Sequence, residues 1–154
     1  MRPFQSADVA ACLSVFDSNI PTYFGAHERA DFARYLQQPE QLANYFVLED
    51  KGRLVACGGL AFDQDGTATF CWGMVDRAFH RKGLGRALAL ARLAQARAMG
   101  AHRVVLSTSQ HTQAFYATLG FTVTGVVVEG HGPGLDAVDM ALGLLIQDRR
   151  PVGP

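Results

Sequence analysis

The chain has no surplus of charge of either sign: 14 lysines and arginines face 14 aspartates and glutamates. A balanced surface exerts no general pull on nucleic acid or on acidic membranes, so neither partner is expected. Any anion the protein holds must be gripped by a local device. Cysteine is scarce. Cys12, Cys57 and Cys71 are scattered through apolar stretches without metal-ligand spacing, and they read as reduced core thiols with no metal site. Long apolar runs are missing too. None approaches the roughly 20 residues of a membrane-spanning helix, and the N-terminus lacks the apolar centre of a signal peptide. A soluble, cytoplasmic protein is expected.

What is present suits one compact α/β domain. Hydrophobic residues make up 49% of the chain, which excludes a disordered segment. No repeat or linker divides it, so we place one domain over residues 1–148 and a short tail over 149–154. Ser6 is the expected cap of a first helix with Val9, Leu13 and Phe16 as its apolar stripe. Asn19 and Pro21 break that pattern. A second helix is predicted from Glu28 to Leu36, burying Phe32, Tyr35 and Leu36, and stopped by Pro39. Tyr45 to Leu48 and Leu54 to Phe62 read as paired strands around a turn at Asp50-Lys51-Gly52. Thr67 to Val75 reads as a third strand. Its alternation places Phe70, Trp72 and Met74 on one face, and Gly73 signals a bulge or a close backbone approach. A long helix from Gly83 to Met99 follows, then a strand from Arg103 to Ser107 and a helix from Thr112 to Leu119. Strands Phe121 to Val128 and Ala137 to Leu145 close the sheet around a Gly130–Gly134 loop. This order implies a mixed, largely antiparallel sheet.

The chemistry concentrates in Val75-Asp76-Arg77-Ala78-Phe79-His80-Arg81-Lys82-Gly83-Leu84-Gly85-Arg86. A strand ends, a basic turn follows, and glycines open a helix. The first helical turn has N–H groups without internal partners and a positive dipole end. Gly83 and Gly85 leave room for a bulky anion, while Arg81, Lys82 and Arg86 add positive charge. The helix carries Arg86, Arg92 and Arg97 and no acidic residue between Gly83 and Gly100. This composition suits a pyrophosphate cradle, although the same glycines would also serve plain strand–helix packing. The Gly-Lys-Ser/Thr ending of a P-loop and the third glycine of a dinucleotide fingerprint are both missing.

This segment resembles the GNAT superfamily of N-acetyltransferases. The family signature is Gln or Arg, two free positions, Gly, one free position, then Gly or Ala, and it falls on His80-Arg81-Lys82-Gly83-Leu84-Gly85. A second signature falls on Ala114-Phe115-Tyr116-Ala117-Thr118-Leu119-Gly120-Phe121. The resemblance implies a single-domain GNAT-like fold, a largely antiparallel sheet with helices on both faces, and a splayed strand pair holding acetyl-CoA. Backbone groups of Met74 and Val75 would bind the pantetheine arm, and the Val75 amide would polarise the thioester carbonyl. Amides from Arg81 through Lys82, Gly83, Leu84 and Gly85 to Arg86 would hold the pyrophosphate. Tyr116 would protonate the departing thiolate, as a phenol of ordinary pKa about 10 can at neutral pH. His80 departs from the usual Gln or Arg, and Ser109 stands where the family often has Asn. As a phosphate ligand His80 would act best doubly protonated, when both ring nitrogens donate.

The expected reaction is direct attack of a neutral amine on the acetyl group through a tetrahedral intermediate. The attacking amine needs a base. Glu28 is the candidate for that task or for anchoring the acceptor, with Glu49, His111 and His131 behind it. Tyr23, Phe24 and Trp72 are candidate walls, and a small-molecule primary amine is the expected acceptor, with the N-terminal amine of a peptide as the alternative. Two other readings stand: an acyl-CoA-binding sensor without catalysis, and a structural domain whose glycines only pack. Either a monomer or a homodimer fits the composition.

Overall fold

The computed structural model describes residues 1–144. The end of the last expected strand at Leu145, the boundary at 148 and the 149–154 tail lie outside the described residues. Seven strands form one sheet: β1 (Arg2–Pro3), β2 (Tyr45–Asp50), β3 (Arg53–Phe62), β4 (Thr67–Val75), β5 (Arg103–Thr108), β6 (Thr122–Gly132) and β7 (Leu135–Gly143). Their spatial order is β1-β2-β3-β4-β5-β7-β6. Every neighbouring pair is antiparallel except β4 and β5. The β2–β3 hairpin turns through Lys51 (φ 50°) and Gly52 (φ 80°), two left-handed residues whose twist matches the flanking strands.

Helices cover both faces. On one side α1 (Val9–Ser18) and α2 (Arg29–Tyr35) bury Cys12, Val15, Phe16, Phe32 and Tyr35 against Tyr45, Val47, Cys57 and Met74. On the other, α3 (Leu84–Ala98) sets Ala89, Leu93 and Ala96 against Leu60, Ala68, Phe70, Val104 and Met140. There α4 (Gln113–Thr118) adds Phe115 and Tyr116. Among the described residues no helix is long and apolar enough to cross a membrane.

The start of the chain differs from expectation. Residues Ser6–Asp8 wind as a 3-10 turn, and the helix begins at Val9. The organising group is Asp8, whose carboxylate accepts the Gln5 N–H and both terminal nitrogens of Arg2. With the helix anchored there, its buried side is Cys12, Val15 and Phe16, while Val9 and Leu13 lie at the margin.

The alternation expected along β4 also fails, for an instructive reason. The β3–β4 register passes from Cys57–Met74 to Gly59–Cys71, so β4 carries one extra residue. Trp72 takes φ 44° at this bulge. One extra residue reverses the parity of everything beyond it. Phe70 therefore faces α3, whereas Trp72 and Met74 join the α1–α2 side. Both meanings attached to Gly73 hold at once, since the bulge is also the point where Arg92 of α3 presses against the backbone.

Candidate active site

The parallel ladder between β4 and β5 stops at Thr69–Val105, although β4 runs on to Val75 and β5 to Thr108. A cavity of about 760 Å³ occupies the space beyond, lined by both strands, by the turn ahead of α3 and by α4. Its position follows from the strand geometry: backbone edges that no longer pair leave donors and acceptors facing the gap.

At one end lies the glycine turn. Arg81 (φ 63°) and Gly83 (φ 81°) are both left-handed, and Asp76 caps the preceding turn by accepting the Ala78 N–H at 2.9 Å. The first helical bond runs from the Ala87 N–H to the Gly83 carbonyl, so the amides of Leu84, Gly85 and Arg86 have no intrahelical partner. A β-carbon built at Gly83 meets nothing within 4 Å, and one at Gly85 meets only the Phe115 ring at 3.7 Å and a Val75 methyl at 3.8 Å. This open cradle, with Arg81 and Arg86 on the cavity wall, fits a diphosphate. Lys82 turns away and sets its ammonium over the Phe79 ring at 4.9 Å.

His80 lines the cavity, but its Nε2 lies 2.9 Å from the Val75 carbonyl. That leaves Nδ1 for any phosphate contact. The same carbonyl accepts the side-chain amide of buried Asn19, also at 2.9 Å. The end of β4 is thus clamped by two side chains. Asp76 donates its N–H to Val55 on β3, so strand alternation turns the Val75 N–H the other way, toward β5. Ser109 is buried in the turn between β5 and α4, where its hydroxyl accepts the His111 N–H, and it borders the cavity as well.

Tyr116 projects from α4 into the cavity. Its ring is held edge-on by Phe70, Phe115 and Phe121, and among the described residues its hydroxyl has no partner. Tyr23, Phe24, Trp72 and His111 supply further wall, with Phe24 and Trp72 stacked on the aromatic group around Phe16.

The candidate bases separate clearly. Glu49 binds Arg2 at 2.7 Å on β2, away from the cavity. Glu28 does not line the cavity either. One of its oxygens accepts the Gly25 N–H at 2.9 Å, which stabilises the turn before α2. The other lies 3.6 Å from Nδ1 of His131. His131 does line the cavity, and its Nε2 lies 2.9 Å from the Ser107 hydroxyl on β5. A carboxylate, an imidazole and a hydroxyl therefore stand in series. Ser107 and Asn19 carried no signal in sequence beyond a strand end and a helix breaker, because their partners lie 24 and 56 residues away.

Cys12 and Cys57 are core thiols as expected, whereas Cys71 is only half-buried and borders the cavity. Cys12 is buried against Cys57, whose hydrogen bond together with burial raises its pKa, and burial likewise raises that of Cys71.

Comparison with known proteins bears on the fold and the family. No curated protein matches the sequence. Among solved structures, a ribosomal-protein-alanine N-acetyltransferase from Brucella melitensis is 17% identical, with 93% of this chain and 98% of that one covered at a TM-score of 0.75. The structure of yncA from Salmonella typhimurium with its cofactor acetyl-CoA is 24% identical, covering 94% and 92% at 0.73. An aminoglycoside 6'-N-acetyltransferase complexed with coenzyme A is 14% identical, covering 92% and 93% at 0.71. These likenesses establish the fold. The sequence itself matches the profile of the Acetyltransferase (GNAT) family over residues 12–121, a span that holds both the glycine turn and Tyr116. The chain belongs to the GNAT acetyltransferase family.

Proposed function

We propose that the protein is an N-acetyltransferase that moves the acetyl group of acetyl-CoA to the primary amine of a small molecule. The observation that carries this reading is one continuous cavity with an anion cradle at one end and a tyrosine and a histidine beside the strand gap. Acetyl-CoA supplies an activated acetyl thioester; the chain's own groups do the rest. Unpaired amides of the α3 start, with Arg81 and Arg86, bind the diphosphate. The Val75 N–H faces the gap and stabilises negative charge on the carbonyl oxygen, while Met74 and Val75 line the path of the pantetheine arm. Tyr116 donates its proton to the sulfur as it leaves.

For deprotonation we assign His131, oriented by Glu28. With the Nδ1–H directed to the Glu28 carboxylate, Nε2 accepts from the Ser107 hydroxyl, whose oxygen in turn accepts a proton from the ammonium of the acceptor. Glu28 thus acts as a positioning residue behind the base. The aromatic walls at Tyr23, Phe24 and Trp72 suit a small acceptor with an apolar body.

The test is calorimetry with acetyl-CoA and desulfo-CoA, followed by thiol release across a panel of small amines and N-terminal peptides. Gly85→Glu is the control, because Gly85 has ordinary surroundings and its substitution blocks the cradle without backbone strain. We expect micromolar binding that the variant loses, and turnover with an amine. Binding without turnover by any amine would favour a CoA-responsive sensor; absence of binding would refute both.

A further inference from the structure

Arg92 is the most deeply buried charged side chain among the described residues, at 2% exposure. Its place on α3 suggested a share in the phosphate cradle, but it points elsewhere. Helical rise puts it about 10 Å along the axis from Gly85, and its guanidinium lies 3.9 Å from the centroid of the Phe70 ring. A β-carbon built at Gly73 would come within 2.6 Å of Nη2, and one at Gly58 within 3.2 Å of Cζ. Two glycines facing each other across β3 and β4 thus make room for this one group.

Among the described residues the group is unpaired. Nε and Nη1 are enclosed without a hydrogen-bond partner, and no carboxylate appears among the residues lining the cavity that Arg92 borders. An arginine does not relieve such burial by losing its proton. Stacking on Phe70 offsets part of the desolvation but provides no acceptor for the N–H groups. A buried cation without a counter-charge at the edge of a ligand cavity is a place for an anion. Its location identifies which part of a ligand it meets. Phe70 is the residue directly beyond the last β4–β5 pair, so Arg92 stands at the apex of the gap, remote from Arg81 and Arg86. Leu88 and Leu106 supply apolar wall nearby.

We propose that Arg92 is a carboxylate receptor that sets substrate selectivity at the apex of the cavity. This inference rests on the CoA reading above. The carboxylate comes either from the far end of a dicarboxylic acyl thioester, with Phe70, Leu88 and Leu106 packing on its methylenes, or from an amino-acid acceptor. In both cases Nη2, the one guanidinium nitrogen that is not enclosed, donates a charge-assisted hydrogen bond to a carboxylate oxygen.

The experiment is calorimetric titration of wild type, Arg92→Leu and Arg92→Lys with CoA, acetyl-CoA and succinyl-CoA. A second arm titrates alanine and ethylamine into protein saturated with desulfo-CoA. Wild type should prefer the carboxylated member of one pair by about tenfold, the scale of a charge-assisted hydrogen bond. Preference within the thioester pair assigns the acyl source, and preference within the amine pair assigns the acceptor. Arg92→Leu should erase the preference while keeping CoA affinity, with a melting temperature equal to or above wild type, since hydrocarbon replaces an unpaired buried charge. Arg92→Lys keeps the charge without the guanidinium and should retain part of the preference; it carries the test if the leucine variant does not fold. CoA binding without carboxylate discrimination, or discrimination that survives Arg92→Leu, would overturn the inference alone. Absence of CoA affinity in wild type would remove the cofactor reading as well.

Discussion

Tyr116 and His131 face one cavity from different elements, α4 and the irregular end of β6. Their proposed tasks differ, and so should the effects of removing them. Tyr116→Phe deletes only the proton donor and should lower kcat by roughly 10²-fold with CoA affinity unchanged. His131→Gln should lower turnover on a similar scale, and Glu28→Gln by less, because it orients the imidazole without receiving the proton. Steady-state kinetics beside CoA titrations checks all three. Unchanged turnover in Glu28→Gln would retire its role and leave it as the cap of the Gly25–Glu28 turn. Tyr116 stood out as a candidate from its sequence motif. His131 was only one of several candidates, because nothing local tells a histidine that its carboxylate lies 103 positions earlier.

At the scale of elements, β4 decides most of what is particular here. Its bulge turns Phe70 toward α3 and Trp72 toward α1, and Gly73 admits the Arg92 guanidinium. Gly73→Ala would drive a methyl into that group and should destabilise the fold by about 1–3 kcal/mol, as overpacking does. In an Arg92→Leu background the same change should cost much less, and a thermal double-mutant cycle reads the coupling directly. The glycine itself announced a bulge or a close approach in the sequence. Which residue approaches could not be read, since helical spacing puts Arg92 on the buried face with Leu88 and Ala96 but does not say which strand residue it meets. Helix α3, by contrast, was legible nearly to the residue: Gly83 and Gly100, both left-handed, bound a run of strong helix formers.

At the scale of the whole molecule, the N-terminal segment is tied to the sheet through charge. The Arg2 guanidinium, by hydrogen bonding to the Asp8 carboxylate, holds the pKa of Asp8 below the usual carboxylate value, against the opposing effect of burial. A depressed folded pKa contributes stability that is complete above the unfolded value of about 4 and is lost as pH falls through the folded one. Wild type should therefore lose part of its melting temperature between pH 5 and pH 2.5. Asp8→Asn should start lower at pH 7 and show a shallower acid decline, measured by thermal denaturation across that range.

The sequence by itself determined the family, the order of strands and helices after β1, the glycine turn and the candidacy of Tyr116, because each is written in contiguous residues: periodicity, capping glycines and short motifs act over a few positions. Tertiary structure alone decided the rest. The extra residue in β4 set which face each side chain takes, the end of the β4–β5 ladder opened the cavity, and folding brought Glu28, Ser107 and His131 into line. These depend on register and on contacts between distant segments, where one residue of slip reverses a strand's two faces. Arg92 belongs to the same class: a buried cation is recognised only when its surroundings are known, and those surroundings come from two strands, β3 and β4.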